Sequence, residues 1–408
     1  MKKTHIAILG AGPTGLEAAL AAVDFGFPFT LYEASSGVAG HVRSWGHVRL
    51  FSPWSFDISE RMRRHLETAG HPVPEAKPDC PTGDELIERV LDPLAALPYV
   101  EPHLRTGTRV VEIGREGLLK HEEIGSGRRG ASRFRLLLED ESGESIEHAD
   151  VVLDCTGTYG NPNTLGDGGI AAPGERALAD GIRRHIPDFL GEPEVWAGKT
   201  VLLVGAGHSA QTAATDLSDL AERYPGTRVL WALRRSQPEW AVDPDDPLPE
   251  RARLVAEAEQ LADGSSEFIE TLKGVVVDSL ARRSGKIEVT LRHQDGTLTR
   301  IAVDWVLSLT GSVGDHSIYR QLQVHECYAT AGPMKLSAAL LGSTTEDCLD
   351  QESHGVDNLV NPELNFFILG VKSYGRNAAF LMRVGWQQVE EVFELLAAAA
   401  TNPSKSPA

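Results

Sequence analysis

Residues 5–15 read His5-Ile6-Ala7-Ile8-Leu9-Gly10-Ala11-Gly12-Pro13-Thr14-Gly15, and an alanine-rich stretch, Leu16 to Ala22, comes next. A short apolar run, a glycine turn and a helix-forming stretch predict strand, tight turn and helix. In that context each glycine has a separate task. Gly10 permits the sharp turn. Gly12 lets backbone approach a pyrophosphate with no Cβ in the way. Gly15 lets the helix pack on its strand. The helix N-terminus adds free N–H groups and partial positive charge. The stretch reads as a dinucleotide site, with Gly10, Gly12, Pro13, Thr14 and Gly15 as its contacts.

The pattern recurs at Lys199-Thr200-Val201-Leu202-Leu203-Val204, which runs into Gly205-Ala206-Gly207-His208-Ser209-Ala210. Gly205, Gly207, His208, Ser209 and Ala210 are the matching contacts. Two such turns predict two bound dinucleotides. The end of the next strand distinguishes the two sites. The strand Phe29-Thr30-Leu31-Tyr32 ends in Glu33, and an acid there suits a ribose with free hydroxyls, as in FAD or NAD. The strand Val229 to Leu233 ends in Arg234-Arg235-Ser236. Two guanidiniums suit a 2′-phosphate, so the second site reads as NADPH-binding.

The chain has 408 residues, comfortable for two domains, and a formal charge of −19. That charge argues against nucleic acid and against an anionic membrane surface. No apolar run approaches a membrane span, and Met1-Lys2-Lys3-Thr4 leads directly into the first strand, so a cytoplasmic location is expected. The expected partner is a small-molecule substrate, and a two-fold homodimer is the default assembly. No two of Cys80, Cys155, Cys327 and Cys348 form a Cys-x-x-Cys pair, which argues against a local redox dithiol.

Further along, helices are expected over 56–70 and 83–97, divided by a Pro-rich turn at 71–81. Strands are expected at Arg109 to Ile113, Arg133 to Glu139 and Val151 to Leu153, with a mobile hairpin tip over 114–130. Asp150-Val-Val-Leu-Asp-Cys-Thr156-Gly157 has a near copy at Asp304-Trp-Val-Leu-Ser-Leu-Thr310-Gly311, which points to internal duplication. A late strand, Leu364 to Gly370, precedes a helix over 378–396 and a polar tail over 401–408, expected to be disordered.

This combination resembles the FAD- and NADPH-dependent oxidoreductases with two dinucleotide-binding domains. Flavin-containing monooxygenases and the thioredoxin- and glutathione-reductase-like flavoproteins belong to that group. The resemblance implies an α/β fold of two Rossmann-like domains: an FAD domain over residues 1–165 and 312–408, with an NADPH domain, 166–311, inserted in it. It also implies FAD pyrophosphate on the first turn, its ribose on Glu33, and Gly370 near the flavin. Further flavin contacts are expected from His41, Val42, Arg43, Val111, Thr156, Gly157 and Asn377. A closer similarity, to bacterial flavin monooxygenases, is carried by Trp45-Gly-His-Val-Arg-Leu-Phe-Ser-Pro-Trp54 and Lys372-Ser-Tyr-Gly-Arg376. The Phe-x-Gly-x-x-x-His motif of microbial class B monooxygenases is absent. Gly370-Val371 stands where reductases usually show Gly-Asp. The resemblance implies a monooxygenase. A reductase or dehydrogenase that uses no oxygen stays open, as does a nucleotide-binding redox sensor without turnover.

Candidate reactive groups cluster in two segments. Residues 40–54 contain two His, two Arg, two Trp and one Phe, and are expected to pass the flavin ring. Arg43 or Arg49 could neutralise reduced flavin, His47 could move protons near neutral pH, and Trp45 and Trp54 could wall the pocket. Lys372, Tyr374, Arg376 and Asn377 come after the late strand and could reach flavin or substrate. Cys327 lies two residues after His325. In a strand both would face one side, giving a reactive thiol; the alternative is a buried thiol acting as a small hydrophobe.

Overall fold

The computed structural model describes residues 4–75, 79–240, 246, 248–264, 266–342, 353–377 and 380–401. The chain divides into two compact units. Unit 1 comprises Met1–Gly46, Pro53–Asn161 and Val313–Ala408, and unit 2 comprises His47–Ser52 and Pro162–Ser312.

Unit 1 is built on a parallel sheet of β1 (Ile6–Leu9), β2 (Phe29–Tyr32), β3 (Leu104–Arg105), β7 (Val151–Asp154) and the last strand, β16 (Phe366–Ile368), in the order β16-β7-β1-β2-β3. β1 pairs with β2 on one side (Ile6 opposite Phe29) and with β7 on the other (Ile6 opposite Val151). Every residue of β1 and β7 is buried, as a parallel sheet covered on both faces requires. The chain leaves β1 to one side and returns on the other, so a crevice opens at the strands' carboxyl ends. The first glycine turn lies there and leads into helix α1 (Pro13–Phe25), which ends at left-handed Gly26. A second, antiparallel sheet joins β4 (Arg109–Arg115), β5 (Phe134–Asp140) and β6 (Gly143–Ala149).

Unit 2 repeats the plan. Its parallel sheet is made of β8 (Ile182–Arg183), β9 (Thr200–Val204), β10 (Arg228–Leu233), β11 (Ile269–Lys273) and β15 (Trp305–Ser308), in the order β11-β10-β9-β15-β8. The second glycine turn leads into helix α2 (His208–Arg223). The strands β12 (Val275–Arg283), β13 (Lys286–His293) and β14 (Leu298–Val303) form the antiparallel sheet. Residues 47–52, expected in the first domain, lie in unit 2: Val48 packs on its core and Phe51 meets the His208 ring at 5.2 Å.

Several elements differ from expectation. The helix over 56–70 is two helices, Trp54–Asp57 and Glu60–Thr68, parted at extended Ile58 and restarted by Ser59, whose hydroxyl caps the Met62 N–H. The helix over 83–97 starts on a Thr82–Glu85 capping box, then widens into a π turn at Ile87–Leu91 before Pro93. Proline cannot supply the backbone donor of a regular turn, and the wider turn accommodates that. The last helix, α3, is observed over Met382–Thr401. Residues 76–78 of the Pro-rich turn, Ala378, the 402–408 tail and Cys348 lie outside the described residues.

The expected hairpin tip is anchored. Within 114–130, Arg115 and Arg129 are buried around the fully buried Glu363, 234 or more residues downstream. Glu363 accepts from Arg115 Nε, from Arg129 Nη2 and from the Gln323 N–H, each at 2.7 Å. Burial alone would raise its pKa, but these hydrogen bonds outweigh burial and lower it. The Arg115 guanidinium also lies 3.7 Å from the Phe134 ring centroid. Glu363→Ala should strand two buried guanidiniums and lower the urea-unfolding free energy by about 3–5 kcal/mol. Arg128→Ala removes only an exposed pair with Glu123, and should stay within about 0.5 kcal/mol of wild type.

Candidate functional site

At the first turn Gly10 has φ +90°, and a Cβ there would come within 2.8 Å of the Cys155 carbonyl oxygen. Gly15 packs so closely that a Cβ would lie 1.8 Å from the Gly10 oxygen. Gly12 differs: its φ is −81°, and a Cβ would meet nothing within 4 Å. Pro13 and Thr14 open α1. Glu33 stands across the turn, where Oε2 accepts the Ala11 N–H and Oε1 the Ser35 N–H, both at 2.9 Å. The Ala11 carbonyl accepts the Ala39 N–H at 3.0 Å, which draws the short helix Gly40–Arg43 to the same turn. There Val42 is buried, His41 stacks on Tyr159 at 6.0 Å, and Arg43 donates to the Val38 carbonyl and pairs with Asp92. Trp45 stacks on the same Tyr159 at 6.3 Å. Val111 is the residue left over where the β4–β5 register slips between Val110 and Glu112, a bulge.

The second turn is a close counterpart. Gly205 has φ +136°, and a Cβ there would lie 2.1 Å from the Leu309 oxygen. Gly207 has φ −74° and open space around its Cβ position. Ala210 is buried, while Ala206, Gly207 and Ser209 are exposed. His208 is half-buried, and its pKa is lowered first by burial and then by the charge of Arg251. By strand register the position equivalent to Glu33 is the buried Leu233, and Arg234 and Arg235 come directly after it, both exposed. Arg235 is paired with Glu239.

Lys372 and Tyr374 do not project as expected. Both side chains are fully buried. Lys372 Nζ donates to Asp154 Oδ2 at 2.6 Å, to the Asp315 carbonyl at 2.7 Å and to Thr156 Oγ1 at 3.1 Å. Its three protons are thereby committed. Asp154 Oδ1 accepts the Thr156 hydroxyl at 2.7 Å, which orients the turn at Thr156 and Gly157. Tyr374 packs edge-on against Phe380 at 5.3 Å, and burial pushes its phenol up to about 12. Neither side chain is exposed to solvent. Gly370 lies against Thr14, whose Oγ1 is 2.7 Å from the position a Cβ would take. The Asn377 N–H donates to the Tyr374 carbonyl at 3.1 Å.

His47 and Arg49 belong to unit 2. His47 is half-buried beside His185, and its buried Nε2 has no hydrogen-bond partner among the described residues. Arg49 is exposed. Residues 325–332 form a turn rather than a strand, so His325 faces out while Cys327 is buried. The Thr330 hydroxyl and neighbouring backbone amides lower the Cys327 thiol pKa.

Sequence reasoning missed Asp154, Asp315 and Tyr319 as partners of Lys372, and Gln388 of α3. Gln388 Oε1 accepts the Gly370 N–H at 2.8 Å, and its Nε2 donates to Ser373 Oγ at 2.9 Å. Asp154 sits inside the repeated Asp-strand-Thr-Gly motif. The other three carry no local signal.

No protein-family model matches the chain. The chain is similar to the indole-3-pyruvate monooxygenase YUCCA1 of rice (Oryza sativa subsp. japonica), with 29% identity over 210 residues, 52% of this chain and 44% of that protein. The match thus spans less than half of the rice protein. The chain is similar as well to a ferredoxin–NADP reductase of Paraburkholderia xenovorans, with 27% identity over 318 residues, 77% of this chain and 70% of that one. Among solved structures it resembles the bacillithiol disulfide reductase of Bacillus cereus, with a TM-score of 0.69 and 20% identity over 97% of this chain and 99% of that one. The fold is therefore that of the thioredoxin-reductase-like flavoproteins, with two Rossmann-like domains. Relatives and structural neighbours comprise flavin-containing and other monooxygenases, an ornithine N-hydroxylase, a ferredoxin–NADP reductase and a disulfide reductase.

Lys372→Met should destabilise the protein by about 3–5 kcal/mol, because Asp154 loses its buried cation. Adding Asp154→Leu should recover at least half of that loss, since an apolar pair needs no compensation. Urea unfolding of the two variants measures both effects.

Proposed function

We propose that the chain is an FAD-containing, NADPH-dependent monooxygenase acting on a small molecule. What carries this reading is the pair of glycine turns, each open at its second glycine, one facing a carboxylate and the other backed by arginines at the end of the next strand. FAD is assigned to unit 1, with its pyrophosphate on Gly10 to Gly15 and its ribose on Glu33. His41, Val42, Arg43, Val111, Thr156, Gly157, Gly370 and Asn377 are its further contacts. NADPH is assigned to unit 2, on Gly205, Gly207, His208, Ser209 and Ala210, with Arg234 and Arg235 at the 2′-phosphate. When bound, these groups would supply hydride transfer from nicotinamide to flavin and electrons from flavin to dioxygen.

The protein's own side chains bind and orient. A lowered pKa leaves His208 neutral at pH 7, so the second turn relies on its amides and arginines for charge. The Lys372–Asp154 pair holds the turn after β16 and is a positioning device. His47, with an unpartnered Nε2, is the candidate to hold or move a proton, and Arg49 the candidate cation for an anionic reactant. Cys155 and Cys327 are free thiols, the ordinary state in the cytoplasm, to which we assign the protein. No helix among the described residues is long and apolar enough to cross a membrane.

An oxygen-independent reductase is the second reading, favoured by the similarity to the Paraburkholderia ferredoxin–NADP reductase. Anaerobic reduction by NADPH, then rapid mixing with air, separates the two. Reoxidation by dioxygen coupled to substrate oxygenation supports the first. Slow reoxidation by air but fast reoxidation by an added acceptor supports the second.

Gly12→Val tests the flavin site. The protein has room for the valine and its φ is ordinary, so the variant should fold yet purify without the FAD that makes wild type yellow. A yellow Gly12→Val protein would exclude the assignment. For the second site, Arg234→Ala should weaken NADPH about tenfold or more and leave NADH unchanged, since a charge-assisted hydrogen bond contributes about 1.5–3 kcal/mol. Arg235→Ala should do less, because that guanidinium already has Glu239. Equal NADPH and NADH affinity in wild type would refute the assignment.

A further inference from the structure

We propose that Trp231 and Gln211 are positioning residues that preset the second glycine turn for a diphosphate. The inference rests on the reading that this turn holds the nicotinamide dinucleotide. Both side chains are buried beneath the turn. Trp231 Nε1 donates to the Gly205 carbonyl at 2.8 Å, and Gln211 Nε2 donates to the Ala206 carbonyl at 3.1 Å. In a trans peptide the carbonyl and the next N–H point opposite ways. With both carbonyls drawn to the buried donors, the Ala206 and Gly207 N–H groups point away from them. Among the described residues no acceptor takes the N–H of Ala206, Gly207, His208 or Ser209. Four consecutive free donors at a helix start form an anion nest.

The first turn is wired differently. There the Ala11 N–H is spent on Glu33. The second turn has Leu233 at that position, so no carboxylate spans the turn, and the restraint comes from inside. Gln211 Oε1 is buried and has no partner among the described residues. What Gln211 supplies is the donor at Ala206.

The test is titration calorimetry on the full-length flavin-loaded protein with two probes. NADP+ carries a diphosphate, and adenosine 2′-monophosphate does not. Trp231→Phe and Gln211→Leu should each weaken NADP+ about tenfold, with the fragment's affinity and the flavin content unchanged. Gln211→Met keeps the side-chain length without the donor and should behave as Gln211→Leu. It replaces whichever of the first two variants fails to fold. Unchanged NADP+ affinity overturns the proposal. Equal weakening of both probes overturns it too, because that is a general loss of structure. Wild type that binds neither probe overturns the reading of the second site, and the inference with it.

Discussion

Unit 1 depends on one buried ion pair, Lys372 with Asp154. It gathers three stretches of chain that are far apart in sequence: the end of β7, the segment around Asp315, and the turn after β16. Burying two charges is costly, and the attraction offsets that cost only when every polar atom is satisfied. Here the ammonium has three acceptors, and Asp154 has both the ammonium and the Thr156 hydroxyl. The Tyr319 ring adds a π face 5.1 Å from Nζ. The stem of Lys372 lies on Gly314, where a Cβ would come within 2.5 Å of it. From the other side Gln388 clamps the same turn, bonding Gly370 and Ser373. Thr156, Gly157 and Gly370 are thus held at the crevice between β1 and β7.

The two units share a device that the sequence shows only as a repeated aspartate. Asp150 accepts the His5 N–H at 2.8 Å, and Asp304 accepts the Thr200 N–H at the same distance. Each aspartate precedes the strand that returns to the sheet, and each caps the start of the first strand beside it. At the far end the Cys155 N–H donates to Leu9 and the Leu309 N–H to Val204, both at 2.9 Å. The returning strand is therefore locked at both ends, and its carbonyl presses on the first glycine of the turn. The units diverge at several matched positions. Asp154 is matched by Ser308, Glu33 by Leu233 and Gly15 by Ala210.

Much of what depended on neighbours in sequence was legible beforehand. The two strand–turn–helix units, the Asp-strand-Thr-Gly repeat and the β10 strand with its arginines all declare themselves within about ten residues, the range over which periodicity and turn chemistry act. Whatever depended on a distant partner was not. Residues 114–130 have the composition of a mobile tip, and they are fastened because Glu363 arrives from beyond the second unit to meet Arg115 and Arg129. Lys372 has the look of a functional cation after a strand, and it is internal because Asp154, at the end of the neighbouring strand β7, accepts its ammonium. The His325–Cys327 spacing would aim both side chains one way only in a strand, and Ala331, at φ +55°, belongs to a tight turn instead. Charge and spacing say that a group needs a partner. They do not say whether the partner is solvent, ligand or a residue two hundred positions away.

The glycines separate what the fold needs from what the fold leaves for something else. Gly10 and Gly205 are demanded by the protein's own backbone: each has positive φ, and each faces a carbonyl that a side chain would strike. Gly12 and Gly207 are demanded by nothing in the protein. Their φ angles are ordinary, and no atom lies within reach of a side chain there. A glycine in such a place forfeits the backbone restriction that any other residue would provide, roughly 0.5–1 kcal/mol relative to alanine. That cost has no return among the described residues, and it falls at the same position of both turns. The open space and the glycine coincide at both turns, which is what the two proposed phosphate sites require.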